Sequence, residues 1–297
     1  MSELAEKAEA FRRLHQENRP FVLPNAWDVP SARVFEELGF PAVATSSAGL
    51  MVSHGYPDGQ TMPRRELMQA VGRIAHALRV PLSADLVSGY GRGAKAVAAS
   101  VKAAVEAGAI GVNLEDLDTA SGTLYRLPAQ VKKIRAAREV AGALGVPVVL
   151  NARTDALRQA PGDDAARMKE AIRRSTAYRD AGADCVYPMG LTDPAAIATF
   201  VGALQCPVNV MVRPGLPDLA ELERLGVRRV SFGPSASYAT FGLLKRVGEE
   251  IRQHGTFRAL TEGAISYDEL NRLATAKPSG PAASPAPPPA APPTEPS

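Results

Sequence analysis

Cysteine is scarce in this chain: 297 residues contain two, Cys185 and Cys206, too few for a disulfide framework. Each opens or sits in a short apolar run and reads as a packed thiol. Histidine is nearly as rare. His15, His54, His76 and His254 show no spacing with carboxylates that suits zinc. No apolar run approaches the length of a membrane span, which excludes a membrane reading. The first residues, Met1-Ser-Glu-Leu-Ala-Glu-Lys, lack the apolar core of a signal peptide. Lys and Arg number 34 against 31 Asp and Glu, with no basic block or stripe, so nucleic acid is not an expected partner. These absences lead to the expectation of a cytoplasmic protein that handles a small molecule.

What is present is ordinary globular material, 45% hydrophobic and 22% charged, enough for one large α/β domain or two smaller ones. The composition changes sharply at Lys277, where Lys-Pro-Ser-Gly-Pro-Ala-Ala-Ser-Pro begins. A stretch without large apolar residues cannot bury a core. The expected organisation is therefore a folded unit over 1–275 and a disordered Pro/Ala-rich tail over 276–297.

One unit recurs: a helix end, a glycine, then a short apolar strand. Leu38-Gly39 precedes Pro41–Ser47, Ala107-Gly108 precedes Ile110–Glu115, Leu144-Gly145 precedes Pro147–Arg153, Ala181-Gly182 precedes Asp184–Pro188, and Leu225-Gly226 precedes Arg228–Gly233. Glycine closes the last helical turn in the left-handed conformation. Apolar runs of this length suit parallel strands covered on both faces. Phe21–Asn25, Val80–Asp85 and Cys206–Val212 complete a set of eight. Helices are predicted between them, most clearly over 64–78, 94–107, 128–144 and 164–181, with an extra N-terminal helix over 3–18 and a C-terminal one over 266–274. Strand and helix alternating eight times predict an α/β fold, a (β/α)8 TIM-type barrel. A doubly wound open sheet would need a glycine fingerprint after the first strand, and Pro24-Asn-Ala-Trp-Asp28 is not one.

Strand parity then locates polar groups. Residues two apart face the same way, so Ser83 pairs with Asp85, Asn113 with Glu115, Asn151 with Arg153 and Asp155, and Asn209 with Met211 and Arg213. In each pair the polar residue stands at the C-terminal end of an apolar run, the end at which such barrels carry their sites. Asp85, Glu115, Asn151 and Arg153 should meet at one mouth. Two carboxylates near an arginine fit either a hard divalent cation with oxygen ligands or a metal-free ion-pair network. The small residues of Thr45-Ser-Ser-Ala-Gly49 could offer backbone N–H groups to a carboxylate or simply form a tight turn. Asp58, within Pro57-Asp-Gly59, reads as a turn residue.

These residues resemble the isocitrate lyase / phosphoenolpyruvate mutase superfamily over about residues 20–275. The matching pieces are Asn25–Arg33, Ala44–Gly49, Gly55–Gly59, Ala84-Asp85 through Gly89-Tyr-Gly91, Gly111–Asp116 and Asn151–Asp155. The resemblance implies Mg2+, or Mn2+, on Asp85, with Glu115 and Asp58 holding its waters. It implies a 2-oxo or 2-hydroxy carboxylate substrate held by Ser46, Ser47, Ala48 and Gly49 with Asn113 and Asn151, and neutralised by Arg153. Tyr90 and Asp58 join Arg153 as candidate catalytic residues, and a homotetramer with an exchanged C-terminal helix is expected. The implied activity is C–C cleavage through a pyruvate-enolate-like intermediate; P–C chemistry on phosphonopyruvate and a catalytically degenerate acid-binding barrel are the alternatives. Two departures stand out. The loop Asp118–Arg126 lacks the cysteine by which isocitrate-type lyases supply a proton, and Val87 stands where relatives carry a further acid.

Overall fold

The computed structural model describes residues 3–275; the tail expected over 276–297 lies outside the described residues. Eight parallel strands form a ring: β1 (Phe21–Leu23, continuing as Asn25–Ala26), β2 (Val43–Thr45), β3 (Leu82–Asp85), β4 (Gly111–Glu115), β5 (Val149–Thr154), β6 (Cys185–Pro188), β7 (Asn209–Met211) and β8 (Arg229–Ser231). Pairing runs from β1 to β6 in chain order, and β8 lies between β7 and β1. A parallel bridge from Val186 to Val208 joins β6 to β7 and closes the barrel. The first strand divides at Pro24, which has no N–H for the ladder. Its carbonyl still accepts from the Ala44 N–H at 2.8 Å, so the strand remains one stave. The sequence-predicted TIM-type barrel is thus the fold of this chain.

Among the described residues the helices are α1 (Glu3–Gln16), α2 (Val29–Glu37), α3 (Ser47–Ser53), α4 (Arg64–Ala77), α5 (Ala94–Glu106), α6 (Leu127–Ala143), α7 (Ala156–Gln159), α8 (Asp164–Asp180), α9 (Pro194–Ala203), α10 (Leu219–Arg224), α11 (Ser235–His254), α12 (Arg258–Thr261) and α13 (Tyr267–Thr275). Those predicted with bounds, α1, α4, α5, α6, α8 and α13, begin and end within two residues of them. Gly108 and Gly182 show why the repeat reads so clearly. Their φ angles of 99° and 105° close α5 and α8, and Ala109 and Ala183 donate back to Ala104 and Tyr178. No helix among the described residues is long and apolar enough to cross a membrane.

The core lies between barrel and helices. Val112, Leu114, Leu150, Val186, Val210 and Val230, the alternates of the polar strand residues, are buried there. Helix α1 closes the barrel from below, at the strands' N-terminal ends. Phe11 packs edge-on against Phe21 and beneath Gly111, where a Cβ would lie 2.6 Å from its ring. At the other end of the chain, α13 returns to α2, where Arg272 meets Glu37 at 2.7 Å.

Asp116 fixes the geometry of the barrel mouth. Fully buried, it accepts from Thr154 Oγ1 (2.7 Å), the Asp155 N–H (2.9 Å), Tyr178 Oη (2.7 Å) and Arg174 Nη1 (3.1 Å). It thereby ties β4 to β5 and both to α8. Removing only the guanidinium leaves this buried carboxylate without its hydrogen-bonded counter-charge. Arg174→Leu is expected to lower unfolding free energy in urea by about 3–5 kcal/mol, whereas Arg173→Ala, which breaks a solvent-facing pair with Glu170, should cost under about 1 kcal/mol.

Candidate active site

A cavity of about 380 Å³ opens at the C-terminal end of the barrel, within the range of small-molecule sites. Ser46, Ser47, Ala48, Asp58, Asp85, Asn113, Asn151 and Arg153 all line it. Sequence parity therefore gathered the right strand ends, because adjacent staves are in step: Asp85 pairs with Asn113, Asn113 with Asn151, and Glu115 with Arg153.

Asp85 is held from three elements. Its Oδ2 accepts from Ser47 Oγ (2.6 Å) and the Ser47 N–H (3.2 Å). Its Oδ1 accepts from Asn113 Nδ2 (3.1 Å) and the Val87 N–H (3.2 Å). Asn151 Nδ2 in turn donates to Asn113 Oδ1 at 2.9 Å, which fixes both amides. Asp58 stands at the solvent-exposed rim of the same cavity. Partial desolvation, followed by the Asp85 charge, raises its pKa, and Arg153 opposes the shift. Asp58 is thus not merely a turn residue: it brings a second carboxylate to Asp85.

Arg153 is clamped between two acids. Nη1 reaches Glu115 Oε2 at 2.7 Å; Nε and Nη2 grip Asp155 at 2.8 and 3.0 Å. Burial works against this cation, but Glu115 and Asp155 more than compensate and raise its pKa. Glu115 is 4% exposed, and burial pushes its pKa up to about 8 against the pull of Arg153.

Three predicted site residues stand off the cavity wall. Glu115, expected to hold metal-bound water, is turned to Arg153 because register sets the two directly opposite. Gly49 serves packing: a Cβ there would come within 3.0 Å of Trp27 Cβ, so its absence lets α3 approach β1. Tyr90 buries its hydroxyl without a partner, and its N–H is held by Gln60 Oε1 at 2.6 Å. Burial and the Asp85 and Asp58 charges raise its pKa, which keeps the phenol protonated.

Val87 sits at φ 52°, a conformation that is strained for a β-branched residue. Its side chain is buried in the core, and its carbonyl accepts the Glu115 N–H at 2.8 Å. An apolar residue here faces the packing, not the cavity.

The cavity also holds residues that the sequence reading did not single out: Asn25, Tyr187, Ser231 and Arg229. Parity within β1, β6 and β8 would have found them. Asn25 links the two ends of the chain, donating to Thr45 O (2.9 Å) and accepting from the Phe232 and Gly233 N–H groups.

The donor chemistry suits a hard cation. Asp85 and Asp58 direct carboxylates at one space, and their mutual repulsion is relieved by a positive charge. Mg2+ characteristically takes one or two carboxylates and fills its shell with water and substrate oxygens. Among the described residues no group of three His, Cys, Asp or Glu side chains is placed to hold a metal ion.

A family profile described as phosphoenolpyruvate phosphomutase matches residues 11–252. An uncharacterized protein of Mycobacterium tuberculosis (strain ATCC 25618 / H37Rv) is 35% identical over 90% of this chain and 99% of its own length. The 2-methylisocitrate lyase of Escherichia coli K12 is 29% identical over 88% of this chain and 90% of its own, and the oxaloacetate decarboxylase of Ectopseudomonas mendocina is 31% identical over 79% and 80%. Among solved structures, a Burkholderia cenocepacia J2315 protein provisionally described as a lyase/mutase superposes with a TM-score of 0.86 at 38% identity, covering 93% of this chain and 98% of that one. Oxaloacetate acetylhydrolase with its product oxalate gives 0.81 at 27% identity, over 91% and 94%. Phosphonopyruvate hydrolase with oxalate and Mg2+ gives 0.77 at 28%, over 90% and 94%.

Glu115 yields a pH signature. Between its ordinary value of 4.5 and about 8 the folded chain keeps a proton that the unfolded chain has released. Stability should therefore fall as pH rises through that window, by up to about 1.4 kcal/mol per pH unit. Urea titrations from pH 5 to 8.5 should show this slope, and Glu115→Gln should flatten it.

Proposed function

We propose a Mg2+-dependent lyase or decarboxylase reaction on a small 2-oxo or 2-hydroxy carboxylate for this chain, which belongs to the phosphoenolpyruvate phosphomutase family and thus to the isocitrate lyase / phosphoenolpyruvate mutase superfamily. The observation that carries the reading is the convergence of Asp85, Asp58 and Arg153 on one cavity at the barrel mouth. Relatives named for C–C cleavage or decarboxylation of such acids support it.

Asp85 and Asp58 would hold the Mg2+, or Mn2+, and the bound cation would act as a Lewis acid where negative charge develops on the substrate's oxygens. The chain's own groups do the rest. Ser47 and Asn113 fix the Asp85 carboxylate, so its oxygens need no reorientation during reaction. The start of α3, with Ala48 at a position whose N–H a helix leaves open, forms the wall for the substrate carboxylate. Arg153, locked by Glu115 and Asp155, presents fixed positive charge toward a pyruvate-enolate-like intermediate. Such pre-oriented charge stabilises a transition state without reorganisation. Tyr90, off the cavity wall with its hydroxyl unpartnered, is given no step, and the Asp118–Arg126 loop supplies no cysteine acid.

Phosphonopyruvate hydrolysis is the second reading, favoured by the likeness to the Mg2+-containing hydrolase. The purified chain with Mg2+ should release pyruvate or a related oxo-acid from substituted malates or oxaloacetate. Phosphate release from phosphonopyruvate would instead establish the second reading. Asp85→Asn is expected to abolish metal-dependent turnover; turnover that persists would remove the assignment. Failure to bind Mg2+ by calorimetry, with or without oxalate, would mark a degenerate acid-binding barrel.

The homotetramer belongs to the same proposal. From α11 onward Phe241, Leu244, Phe257 and Leu260 are exposed, and large apolar side chains left open along one segment suit an interface between chains. Light scattering should find four chains per particle, and Leu244→Glu with Phe257→Glu should lower that number.

A further inference from the structure

One buried cation on the cavity wall has no hydrogen-bonded anion among the described residues. Arg229 opens β8 and is 3% exposed, yet it lines the cavity. Its Nε and Nη1 meet no acceptor among the described residues. A guanidinium cannot shed its proton, and a buried charge without a partner costs several kcal/mol. The groups around it do not relieve that cost. Phe11 lies with its ring centre 6.0 Å away, which is a weak cation–π contact. Asp85, Tyr187 and Cys185 act on it electrostatically, but the Asp85 oxygens are engaged by Ser47, Val87 and Asn113. Tyr187 donates to Met189 Sδ. His15 on α1 offers no charge, since burial and then Arg229 itself push its pKa down to about 3.

The other cavity cations differ. Arg153 already faces two carboxylates. Arg158 and Arg213 are exposed at the rim. One other buried polar atom on the cavity wall also lacks a partner among the described residues, Asn151 Oδ1. Open donors on Arg229 and an open acceptor on Asn151, both on the wall of the same cavity, describe a site for a ligand that brings an anion together with a hydroxyl or water.

We propose that Arg229 is a substrate-recognition residue that receives a second carboxylate, so that the site selects dicarboxylates over monocarboxylates. The inference rests on the reading of the cavity as a Mg2+-dependent 2-oxo or 2-hydroxy acid site. One carboxylate belongs at the mouth, by α3 and Asp85; the second goes to the deep wall, where its charge neutralises the guanidinium and its burial is compensated by charge-assisted hydrogen bonds. Asn151 Oδ1 accepts from the hydroxyl or water that accompanies the ligand.

Malate and lactate test this, because both are 2-hydroxy acids and only malate has the second carboxylate. Calorimetric titration of the Mg2+-loaded full chain should show malate bound on the order of tenfold to a hundredfold more tightly than lactate, the worth of a hydrogen bond to a charged group. Arg229→Met should bring malate to the level of lactate and leave lactate unchanged. That variant should fold, since it removes an unpaired buried charge, and its urea midpoint checks this; Arg229→Gln serves the same comparison if it does not. Asp85→Asn should weaken both ligands together. A malate preference retained in both Arg229 variants, or no preference in the unaltered chain while both ligands depend on Asp85, overturns the role of Arg229 alone. Binding of neither acid by the unaltered chain overturns the cavity reading and this inference with it.

Discussion

The carboxylate of Asp85, placed at the end of a buried strand and held by Ser47, Val87 and Asn113, is the constraint around which the mouth of this barrel is organised. A carboxylate there is costly unless its oxygens are engaged. Engaging them draws the start of α3, the turn after β3 and the inward face of β4 to one point. Asn151 extends the chain of hydrogen bonds to β5, and β5 delivers Arg153. Four neighbouring elements thus owe their relative placement to one acid.

The turn after β3 bears the strain of this arrangement. Val87 and Tyr90 both adopt positive φ, as does Gln60 in the facing loop. Non-glycine residues held so cost of order 1–3 kcal/mol each. What holds them is visible: the Val87 N–H binds Asp85 and its carbonyl takes the Glu115 N–H, while Gln60 captures the Tyr90 N–H. Thr119 ties the Asp58 loop to the segment after β4 through Gly59 O at 3.0 Å. The loop that brings Asp58 to the cavity is therefore coupled to the turn that carries the strain. A change in either should be felt at the carboxylate pair.

Most of the fold was legible because its signals are local. A glycine that ends a helix and an apolar run that follows it depend on neighbours in sequence, so eight staves and the helices between them could be counted. Much of the site was legible for a related reason: strand parity is also local, and it set Asp85, Asn113, Asn151 and Arg153 on the barrel's inner face. Asp58 was not legible from its own residues, since Pro-Asp-Gly describes a turn wherever it occurs; the superfamily resemblance named it, and the structure sets it on the wall of the cavity that Asp85 lines. Glu115 was placed on the right face with two readings left open, a cation's shell or an ion pair with Arg153, because parity says which way a side chain points and not which charge it meets; the structure shows the pair with Arg153.

The sequence by itself determined the alternating architecture, the strand ends that carry polar groups and the absence of a cysteine in the loop after β4, since each is written in residues adjacent along the chain. Tertiary structure alone decided that Glu115 serves Arg153, that Val87 turns into the core, that Gly49 makes room for Trp27, and that Arg229 is left without an anion inside the barrel. The physical reason is that charge pairing and close packing depend on distances across the barrel. Those distances exist only once all eight staves have closed.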